Sequence, residues 1–328
     1  MVLYLTQEDV KQVLDMKTTI DAVEYGFKEM GLGRVEMPAR IYLHFEKHNG
    51  VLITMPAYIE NLNSAGVKVV TVHPNNPQKH GLPSVIARII LNDPVNGQPL
   101  AIMDGTYITM LRTGAAGAVG VKYLSRKDSE VAAIIGLGVQ GISQLLGLRE
   151  VRNIKEVRAY SRDSNRMNNY VENMSKETGI NIQPASSIEQ AVKGADIVVT
   201  CTPAKTPILR GEMISEGMHI SAIGTDTKDK RELNTDVLTN MSNKGKIVVD
   251  NIAQALIVGD FAVPVQDGRF AKEDIYAEMS EITVGQKKAR TSDNEITLFK
   301  ATGLAMEDIV TAQKAYELAK QKGIGQEI

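Results

Sequence analysis

A glycine-rich turn in the middle of the chain constrains the fold more than any other feature. Gly136, Gly138 and Gly141 form the pattern G-x-G-x-x-G directly after the apolar run Val131–Ile135, and a helical segment, Gln140–Glu150, follows. In a βα unit the first glycine permits the tight turn, the second lets the backbone approach a pyrophosphate, and the third lets the helix pack on the strand. The free N–H groups at the helix N-terminus then bind the pyrophosphate. In this setting the motif predicts a dinucleotide-binding fold.

Strand and helix patterns alternate after about residue 113, where the Ala-rich segment Thr113–Leu124 predicts a helix. Such alternation is typical of a Rossmann-type, doubly wound parallel sheet. Before this point strand-like runs follow one another. Two of them, Val85–Leu91 and Leu100–Asp104, are joined by a turn rich in Asn, Asp, Pro and Gly, which predicts an antiparallel hairpin. We therefore expect an α/β protein with a second, mixed α/β domain.

The composition restricts the function classes. The 328 residues include 37 Lys+Arg and 39 Asp+Glu, a formal net charge of −2 without a long basic run, so nucleic-acid binding is not expected. Cys201 is the only cysteine, which excludes an internal disulfide and a cysteine metal cluster and suits a reducing compartment. The sequence shows neither a signal peptide nor an apolar run of membrane-spanning length. We expect a cytoplasmic protein with no metal site and no membrane partner.

The residues after the second strand of the alternating region bear on the choice of cofactor. A carboxylate there would bind the ribose diol and repel a 2′-phosphate. This chain has Ser161 and Arg162 at that place, and a hydroxyl with a guanidinium suits a phosphate, which favours NADP(H) over NAD(H). Two alternatives remain: Ser161 caps the next helix while Arg162 points to solvent, or Asp163 reaches the ribose.

Four charged residues outside the glycine turn are candidates for the chemistry. Lys68 interrupts the apolar strand GVKVVTV, and a buried lysine can have a lowered pKa and act as a base. Arg112, and with less specificity Arg40, could bind a substrate carboxylate through two hydrogen bonds. Asp226 follows a strand at the sheet edge where ligands bind, so it could receive an ammonium group or act as a base. The alternatives are a solvent-facing Lys68, a surface Arg40 and a turn position for Asp226.

A series of short motifs stands in a characteristic order along nearly the whole chain. They are Met55–Tyr58, Gly66–Val70, His73-Pro74, Gly81–Pro83, Leu91–Pro94, Ala101–Gly105, Leu111–Ala116, the Gly136 turn, His219–Asp226 and Ser292-Asp293. Together they resemble the ornithine cyclodeaminase/μ-crystallin family, and within it most closely the archaeal alanine dehydrogenases. Each motif alone is common, whereas their order is specific to the family.

The resemblance implies roles for particular residues. Lys68 of G-x-K and Asp226 after the A-I-G strand correspond to the catalytic pair. Arg112 of L-R-T, together with Lys68 and Arg40, corresponds to the residues that hold the substrate carboxylate. The implied cofactor contacts are Arg112, Thr113, Gly136, Gly138, Val139, Gln140, Ser161, Arg162, Thr202, Pro203, Gly224, Lys230 and Ser292.

The resemblance also implies a domain organisation and an assembly. Residues 1–112 with 291–328 correspond to a substrate and dimerisation domain, and residues 113–290 correspond to the NAD(P)-binding Rossmann domain. The implied assembly is a homodimer.

Two positions depart from the cyclodeaminases that this chain resembles. Those enzymes carry an acidic residue two places before Met-Pro, where this chain has Ile53, and an acid where it has Ser161. An alkyl side chain cannot bind the distal amine of a diamino acid. The expected function is therefore NAD(P)(H)-dependent interconversion of a small L-amino acid and its 2-imino or 2-oxo acid, with alanine and pyruvate first. Reduction of a cyclic ketimine such as pyrroline-2-carboxylate, ornithine cyclodeamination, and μ-crystallin-like binding without turnover are the alternatives.

Overall fold

A computed structural model describes the backbone of residues 1–328 and the side chains of residues 1–241 and 245–328. Contacts divide the chain into two compact units, Met1–Arg112 with Leu304–Ile328, and Thr113–Gly303. The strands are β1 Leu3–Leu5, β2 Val35–Glu36, β3 Ile41–Phe45, β4 Gly50–Ile59, β5 Ser64–Val72, β6 Val85–Asn92, β7 Pro99–Asp104, β8 Val131–Ile135, β9 Glu156–Tyr160, β10 Asn181–Pro184, β11 Ile197–Thr200, β12 His219–Ala222, β13 Gly245–Val249, β14 Ala277–Glu278, β15 Ile296–Lys300 and β16 Gln326–Glu327. The helices are α1 Gln7–Val13, α2 Met16–Gly31, α3 Asn76–Lys79, α4 Gly105–Leu124, α5 Val139–Val151, α6 Ser164–Thr178, α7 Ile188–Val192, α8 Thr235–Lys244, α9 Ile252–Ala255, α10 Gly259–Gln266, α11 Met279–Thr283 and α12 Ala305–Lys322.

The first unit is built on a mixed eight-stranded sheet in the order β16-β1-β7-β6-β5-β4-β2, with β3 also paired to β4. The predicted hairpin is confirmed, because β6 and β7 pair antiparallel with Arg88 opposite Asp104. The turn-rich segment between β5 and β6 contains the short helix α3.

Helices α2 and α12 pack together, and α12 covers one face of the first sheet. Close approach depends on small residues: a Cβ at Gly66 of β5 would lie 3.0 Å from Cδ1 of Ile309, and a Cβ at Gly26 of α2 would collide with Met306. Side chains of a strand alternate between the two faces. Lys68, two residues after Gly66 in β5, therefore lies on the face that α12 covers.

The second unit contains an eight-stranded sheet in which all the pairs are parallel, in the order β10-β9-β8-β11-β12-β15-β13-β14. Strands β9 and β11 both follow β8 in the chain and pair with its two opposite edges, so the strand order reverses at β8. Ligands bind at such a reversal, at the carboxyl ends of the strands. The α/β fold with a doubly wound parallel sheet is confirmed.

Strand β15 corrects the predicted domain boundary. The sequence places residues 291–328 with the first domain, but β15 is inserted between β12 and β13, and residues up to Gly303 belong to the second unit. The ladder to β12 is fully buried and includes the apolar pair Ile220 and Leu298. Burial of such a strand on both sides favours its place in the middle of the parallel sheet.

Helix α4 begins at Gly105, eight positions before the predicted start at Thr113. Asp104 provides the physical reason, because its Oδ1 accepts a hydrogen bond from the N–H of Tyr107 at 2.9 Å and so satisfies a free amide of the first turn. Although α4 has 20 residues, no helix in the described part of the chain is long and apolar enough to cross a membrane.

Candidate active site and nucleotide cavity

A buried ion pair joins β5 to α12 in the first unit. Lys68 is 1% exposed, and its Nζ donates a hydrogen bond to Oδ1 of Asp308 at 2.8 Å and lies 2.7 Å from Oδ2. Asp308 stands in the first turn of α12 and is fully buried. The structure therefore places Lys68 inside the protein with the partner that a buried ammonium requires. The alternative of a solvent-facing lysine is wrong.

Arg112 joins the same cluster through a second carboxylate. Its Nη1 lies 2.7 Å from Oε2 of Glu307, and its Nε lies 3.1 Å from Oδ1 of Asp308. Both acids are fully buried, and Arg112 is 7% exposed. Two adjacent carboxylates of α12 thus hold two cationic side chains that come from β5 and α4.

The surroundings lower the pKa of Lys68 to about 8, chiefly because burial disfavours the charged ammonium. The negative charge of Asp308 opposes this shift, whereas the positive charges of Arg112 and Arg40 add to it. Arg40 is therefore close enough to act on Lys68 electrostatically. An amine with this pKa can take up and release a proton near neutral pH.

Sequence reasoning missed Glu307 and Asp308. At the start of an amphipathic helix, acids are ordinarily read as surface residues that interact with the helix dipole. Their flanks contained a signal, because Leu304–Met306 before them and Ile309-Val310 after them are apolar and buried. Two acids inside an apolar run need buried cations, and Lys68, a charged residue in an apolar strand, needs a buried acid.

The glycine turn of the second unit has the geometry that a dinucleotide requires. Gly136 has φ +103°, and a Cβ there would lie 2.6 Å from the carbonyl oxygen of Cys201, so only glycine fits. A Cβ at Gly138 would meet nothing within 4 Å, and a Cβ at Gly141 would collide with the carbonyl of Gly136. No side chain caps α5 at Gly138. The open approach at Gly138 and the uncapped helix N-terminus leave room for a pyrophosphate.

A cavity of about 590 Å³ opens beside this turn at the carboxyl ends of β8, β9 and β11. Its lining contains many of the predicted cofactor contacts: Gly136, Gly138, Ser161, Arg162, Thr202 and Pro203. The volume and the position at the strand-order reversal fit a nicotinamide dinucleotide.

The segment after β9 bears on the two open alternatives for cofactor choice. The N-cap of α6 is Asp163, whose Oδ1 accepts the N–H of Arg166 at 3.1 Å, and Oγ of Ser161 accepts the N–H of Asp163 at 3.2 Å. Arg162 and Arg166 both line the cavity. Asp163 lines this end of the cavity together with the two arginines, and its Oδ1 also caps α6.

Asp226 lies in the second unit, in the segment after β12, and is 49% exposed. Its Oδ1 accepts a hydrogen bond from Nζ of Lys230 at 2.6 Å. The structure thus brings together Lys230, a predicted cofactor contact, and Asp226, a predicted catalytic residue. Lys68 and Asp226, the predicted catalytic pair, belong to different units.

The remaining predicted contacts lie at several places. Val139 and Gln140 form the first turn of α5, and the carbonyl of Thr113 accepts a hydrogen bond from Nε2 of Gln144 at 2.8 Å. Gly224 donates its N–H to Oε2 of Glu232 at 2.9 Å.

The prediction that Ser292 contacts the cofactor does not agree with the structure. Ser292 precedes β15 and therefore lies at the amino edge of the parallel sheet. The hydrogen bond from the N–H of Gly217, before β12, to the carbonyl of Asn294 is at this same edge. The cavity opens at the opposite, carboxyl edge, where Ala301 follows β15. The sequence motif did not show at which end of a strand the serine stands.

The described residues contain no group of three or more His, Cys, Asp and Glu side chains arranged to hold a metal ion. The ionisable side chains of the first unit's cluster pair with one another instead, as at Lys68 and Asp308.

Comparison with known proteins connects these two sites to a family. The ornithine cyclodeaminase/mu-crystallin family matches residues 2–323. An alanine dehydrogenase of Archaeoglobus fulgidus is 43% identical over 99% of this chain and 98% of its own length. The solved structure of a Thermococcus litoralis Delta(1)-pyrroline-2-carboxylate reductase with NADH and L-proline has a TM-score of 0.95 at 43% identity, covering 100% of both chains. An archaeal alanine dehydrogenase dimer with bound NAD has a TM-score of 0.93 at 42% identity, covering 100% of this chain and 98% of the other. The chain therefore belongs to the ornithine cyclodeaminase/mu-crystallin family, as its motifs predicted.

Proposed function

We propose that this chain is a nicotinamide-dependent oxidoreductase that interconverts a small L-amino acid and its 2-oxo acid through the imine, with L-alanine and pyruvate as the preferred pair. The general class, an NAD-dependent oxidoreductase of this family, is common to the dehydrogenase and reductase relatives. The choice of alanine is the finer part of the proposal. The similarity to alanine dehydrogenases supports it, and the residues around Lys68 favour an apolar substrate side chain over a second amine.

The observation that carries the proposal is the buried cluster of Lys68 and Arg112 on the carboxylates of α12. Two fixed cations in a water-poor site suit a small anion such as a substrate carboxylate. The side chains next to Lys68 on its face of the sheet are apolar, because Met55 pairs with Lys68 and Ile53 pairs with Val70. Such surroundings suit a short alkyl side chain rather than a second amine.

The cofactor supplies hydride transfer at the substrate α-carbon, and the protein supplies binding and proton transfer. In the oxidative direction the α-carbon loses a hydride and the nitrogen loses a proton, which gives the imine. Water then adds to the imine carbon, and ammonia leaves to give the 2-oxo acid. We assign the carboxylate to Arg112 and Lys68, and the protons on nitrogen and water to Lys68 and Asp226. A Lys68 with a pKa of about 8 can serve as acid or base in either direction.

Reduction of pyrroline-2-carboxylate is the second candidate. The high similarity to the Thermococcus litoralis reductase, whose structure holds NADH and L-proline, supports it. This reaction uses the same hydride geometry on a preformed cyclic imine and needs no ammonia. The apolar neighbours of Lys68 suit a proline ring as well as a methyl group.

A substrate panel separates these candidates. The purified protein is mixed with NADH or NADPH and with pyruvate, pyruvate plus ammonium, or pyrroline-2-carboxylate, while the absorbance of the reduced nicotinamide is followed. Alanine dehydrogenase activity requires ammonium with pyruvate, whereas ketimine reduction proceeds without it. L-Ornithine with the oxidised cofactor tests cyclodeamination, which Ile53 disfavours. Tight nucleotide binding without turnover of any of these compounds would contradict the enzyme and favour a binding protein.

For the cofactor we propose both nicotinamide dinucleotides, with NADP(H) favoured. Ser161, Arg162, Asp163 and Arg166 line the end of the cavity at β9, and Oδ1 of Asp163 caps α6. Two relatives were solved with NADH or NAD, so NAD(H) is the comparison in every assay. A 2′-phosphate would find guanidinium donors where NAD(H) offers only a hydroxyl.

We further propose a homodimer formed through the first unit; the archaeal alanine dehydrogenase to which this chain is similar is a dimer. The face of the first sheet opposite α12 carries a cross-strand row of partly exposed apolar residues, Pro56, Val67, Ile90 and Ile102. Ile41 and Leu43 of β3 are 65% and 56% exposed. A contiguous apolar surface of this kind marks an interface. Sedimentation velocity should show a dimer, and Ile90→Glu should shift it toward monomer; a monomeric wild type would contradict the proposal.

A further inference from the structure

One buried carboxylate in the second unit, Glu232, accepts four hydrogen bonds. Its Oε1 accepts the N–H of Thr202 at 2.6 Å and the hydroxyl of the same residue at 2.8 Å. Its Oε2 accepts the hydroxyl of Thr200 and the N–H of Gly224, each at 2.9 Å. Glu232 is fully buried, and none of the sequence motifs singled it out.

These donors come from two different segments at the carboxyl edge of the sheet. Thr200 ends β11, and Thr202 lines the nucleotide cavity. Gly224 follows β12 and stands two residues before Asp226. The two segments are so close that a Cβ on Gly224 would collide with the backbone of Thr202. Glu232 thus ties a cavity-lining segment to the segment that carries Asp226.

Glu232 is itself held in place by the segment around α10. Asp260 accepts the N–H groups of Glu232 and Leu233 at 2.7 and 2.8 Å, and it also accepts the hydroxyl of Thr225. Lys300 lies 3.6 Å from Asp260 and donates to the carbonyl of Thr225 at 2.6 Å. Glu232, Thr225, Asp260 and Lys300 are all fully buried, so this part of the hydrogen-bond network is shielded from water.

We propose that Glu232 is a positioning residue: its carboxylate fixes the Thr200–Pro203 segment against the Gly224–Asp226 segment, and so holds both the nucleotide cavity and Asp226 in their working geometry. The inference rests on the proposed function, since it assumes that the cavity binds a nicotinamide dinucleotide. Glu232 acts through Thr202 and Gly224 and lies behind the cavity wall.

The charge of the carboxylate is essential to this role. Each of its oxygens receives one backbone N–H, from Thr202 at Oε1 and from Gly224 at Oε2. A glutamine of the same shape must turn its NH₂ group toward one of these N–H groups, whichever way the amide is oriented. Threonine hydroxyls can reverse their hydrogen bonds, but a backbone N–H cannot. Glu232→Gln therefore keeps the volume and breaks the connection.

Protonation should weaken the same connection in the wild type. Burial, followed by the negative charge of Asp260, raises the pKa of Glu232 to about 7, while the charge of Lys300 opposes the shift. A protonated carboxyl has a hydrogen where an acceptor is needed. The wild-type affinity for the dinucleotide should therefore fall as the pH drops from 8 to 6, toward the affinity of Glu232→Gln.

Dinucleotide binding without substrate tests the inference. The Kd of NADH and NADPH is measured by fluorescence titration between pH 6 and 8 for the full-length wild type, for Glu232→Gln, and for Glu216→Gln as a control at an exposed acid of the same unit. Melting temperature and circular dichroism identify the folded fraction. At pH 8 Glu232→Gln should raise Kd about tenfold or more, because a buried N–H loses its acceptor. The ratio of the two Kd values should shrink at pH 6, whereas Glu216→Gln should match the wild type throughout.

Three results would count against the inference, and they are distinguishable. A folded Glu232→Gln with wild-type Kd at pH 8 would refute the positioning role and leave the proposed function intact. A raised Kd whose ratio to wild type is the same at pH 6 and 8 would overturn the inferred loss of the connection on protonation, because Glu232 would then stay ionised down to pH 6. A wild type that binds neither dinucleotide would overturn the proposed function and this inference together. If Glu232→Gln does not fold, the pH dependence of the wild-type Kd decides alone, and a flat profile would contradict the inference.

Discussion

The two residues assigned to proton transfer stand in opposite environments. Lys68 is 1% exposed and paired with a fully buried Asp308, whereas Asp226 is 49% exposed and paired with Lys230, which is 28% exposed. Desolvation lowers the pKa of Lys68, so its surroundings already prepare it for proton exchange. The side chain of Asp226 remains in contact with solvent. The first unit therefore holds Lys68 in a buried charge cluster, and the second unit holds Asp226 at an accessible edge.

The two environments predict different losses of stability when Lys68 or Asp226 is substituted. A buried ion pair that loses one partner leaves an uncompensated charge in the interior, which destabilises a protein by roughly 3–5 kcal/mol. A half-exposed carboxylate that is neutralised remains hydrated, and the stability changes by about 0.5 kcal/mol or less. Activity and stability should therefore fall together at Lys68 and separate at Asp226.

The largest effect is expected for Lys68→Met. Loss of the amine should lower kcat about 10²- to 10⁴-fold, as for other positioned acid–base groups, and should raise the KM of the carboxylate substrate. The same change leaves Asp308 with Arg112, which Glu307 already shares, so the buried negative charge is in excess and the free energy of unfolding should fall by roughly 3–5 kcal/mol. Steady-state kinetics and urea unfolding on one preparation measure both.

The double variant Lys68→Met/Asp308→Asn is the control for this prediction. It removes both charges, so it should recover much of the lost stability while the activity stays low. Recovery of kcat together with stability would show that Lys68 has a structural role only and would remove it from the mechanism.

Asp226→Asn should produce the second-largest effect, on activity alone. Neutralising the carboxylate removes the charge that would stabilise a substrate ammonium, and kcat should fall about 10²- to 10⁴-fold. The melting temperature should stay within a degree or two of the wild type, since the side chain is half exposed and a change of about 0.5 kcal/mol is the usual limit there. Asp267→Asn, at another exposed acid of this unit, is the matched control. Near-normal turnover with a lowered melting temperature would reverse the assignment.

The pH profile provides a smaller and more specific test. With a pKa of about 8, Lys68 is neutral above this pH, so the rate of amino-acid oxidation should rise with pH through about 8 and that of imine reduction should fall. Asp308 supports the ammonium form, so Asp308→Asn should move both limbs to lower pH. The profile of kcat/KM in both directions measures the shift. Limbs that stay in place would mean that another group controls the profile.

How far the sequence predicts this molecule depends on the range of the interaction. The glycine turn is local, and its strand, helix and three glycines have the predicted arrangement. The partner of Lys68 is 240 positions away, and no local pattern connects β5 to the first turn of α12. The role of Glu232 could not be predicted from the sequence for the same reason, because its hydrogen-bond donors lie on two other segments.

The errors at the boundaries also have physical causes. Strand β15 has a buried pattern that suits either sheet, so its place between β12 and β13 follows from long-range packing. Ser292 was assigned to the cofactor because a motif shows neighbours along the chain but not which sheet edge they occupy. Helix α4 starts early because Asp104 caps it, a contact that a strand reading of Leu100–Asp104 did not include.

The smallest expected effect concerns Arg162 at the open edge of the second unit. Arg162 lines the nucleotide cavity with Arg166, and a 2′-phosphate would accept a charge-assisted hydrogen bond from its guanidinium. Arg162→Ala should therefore raise the KM for NADPH about 5- to 20-fold, because hydrogen bonds to charged groups contribute modestly where water competes. The KM for NADH should hardly change, since its ribose hydroxyl does not need a cation.

Steady-state kinetics with both cofactors at low and high salt measure this difference, and Arg149→Ala, a half-exposed arginine near the end of α5, is the control. Salt should reduce the NADPH preference of the wild type more than that of Arg162→Ala, which retains Arg166, because an exposed charge pair is screened. Equal changes for the two cofactors would place Arg162 in solvent and assign the ribose to Asp163 or the backbone. A salt-insensitive preference for NADPH would instead mean that this edge of the second unit is as shielded from solvent as the cluster around Lys68. The contrast between a buried and an accessible region would then be wrong.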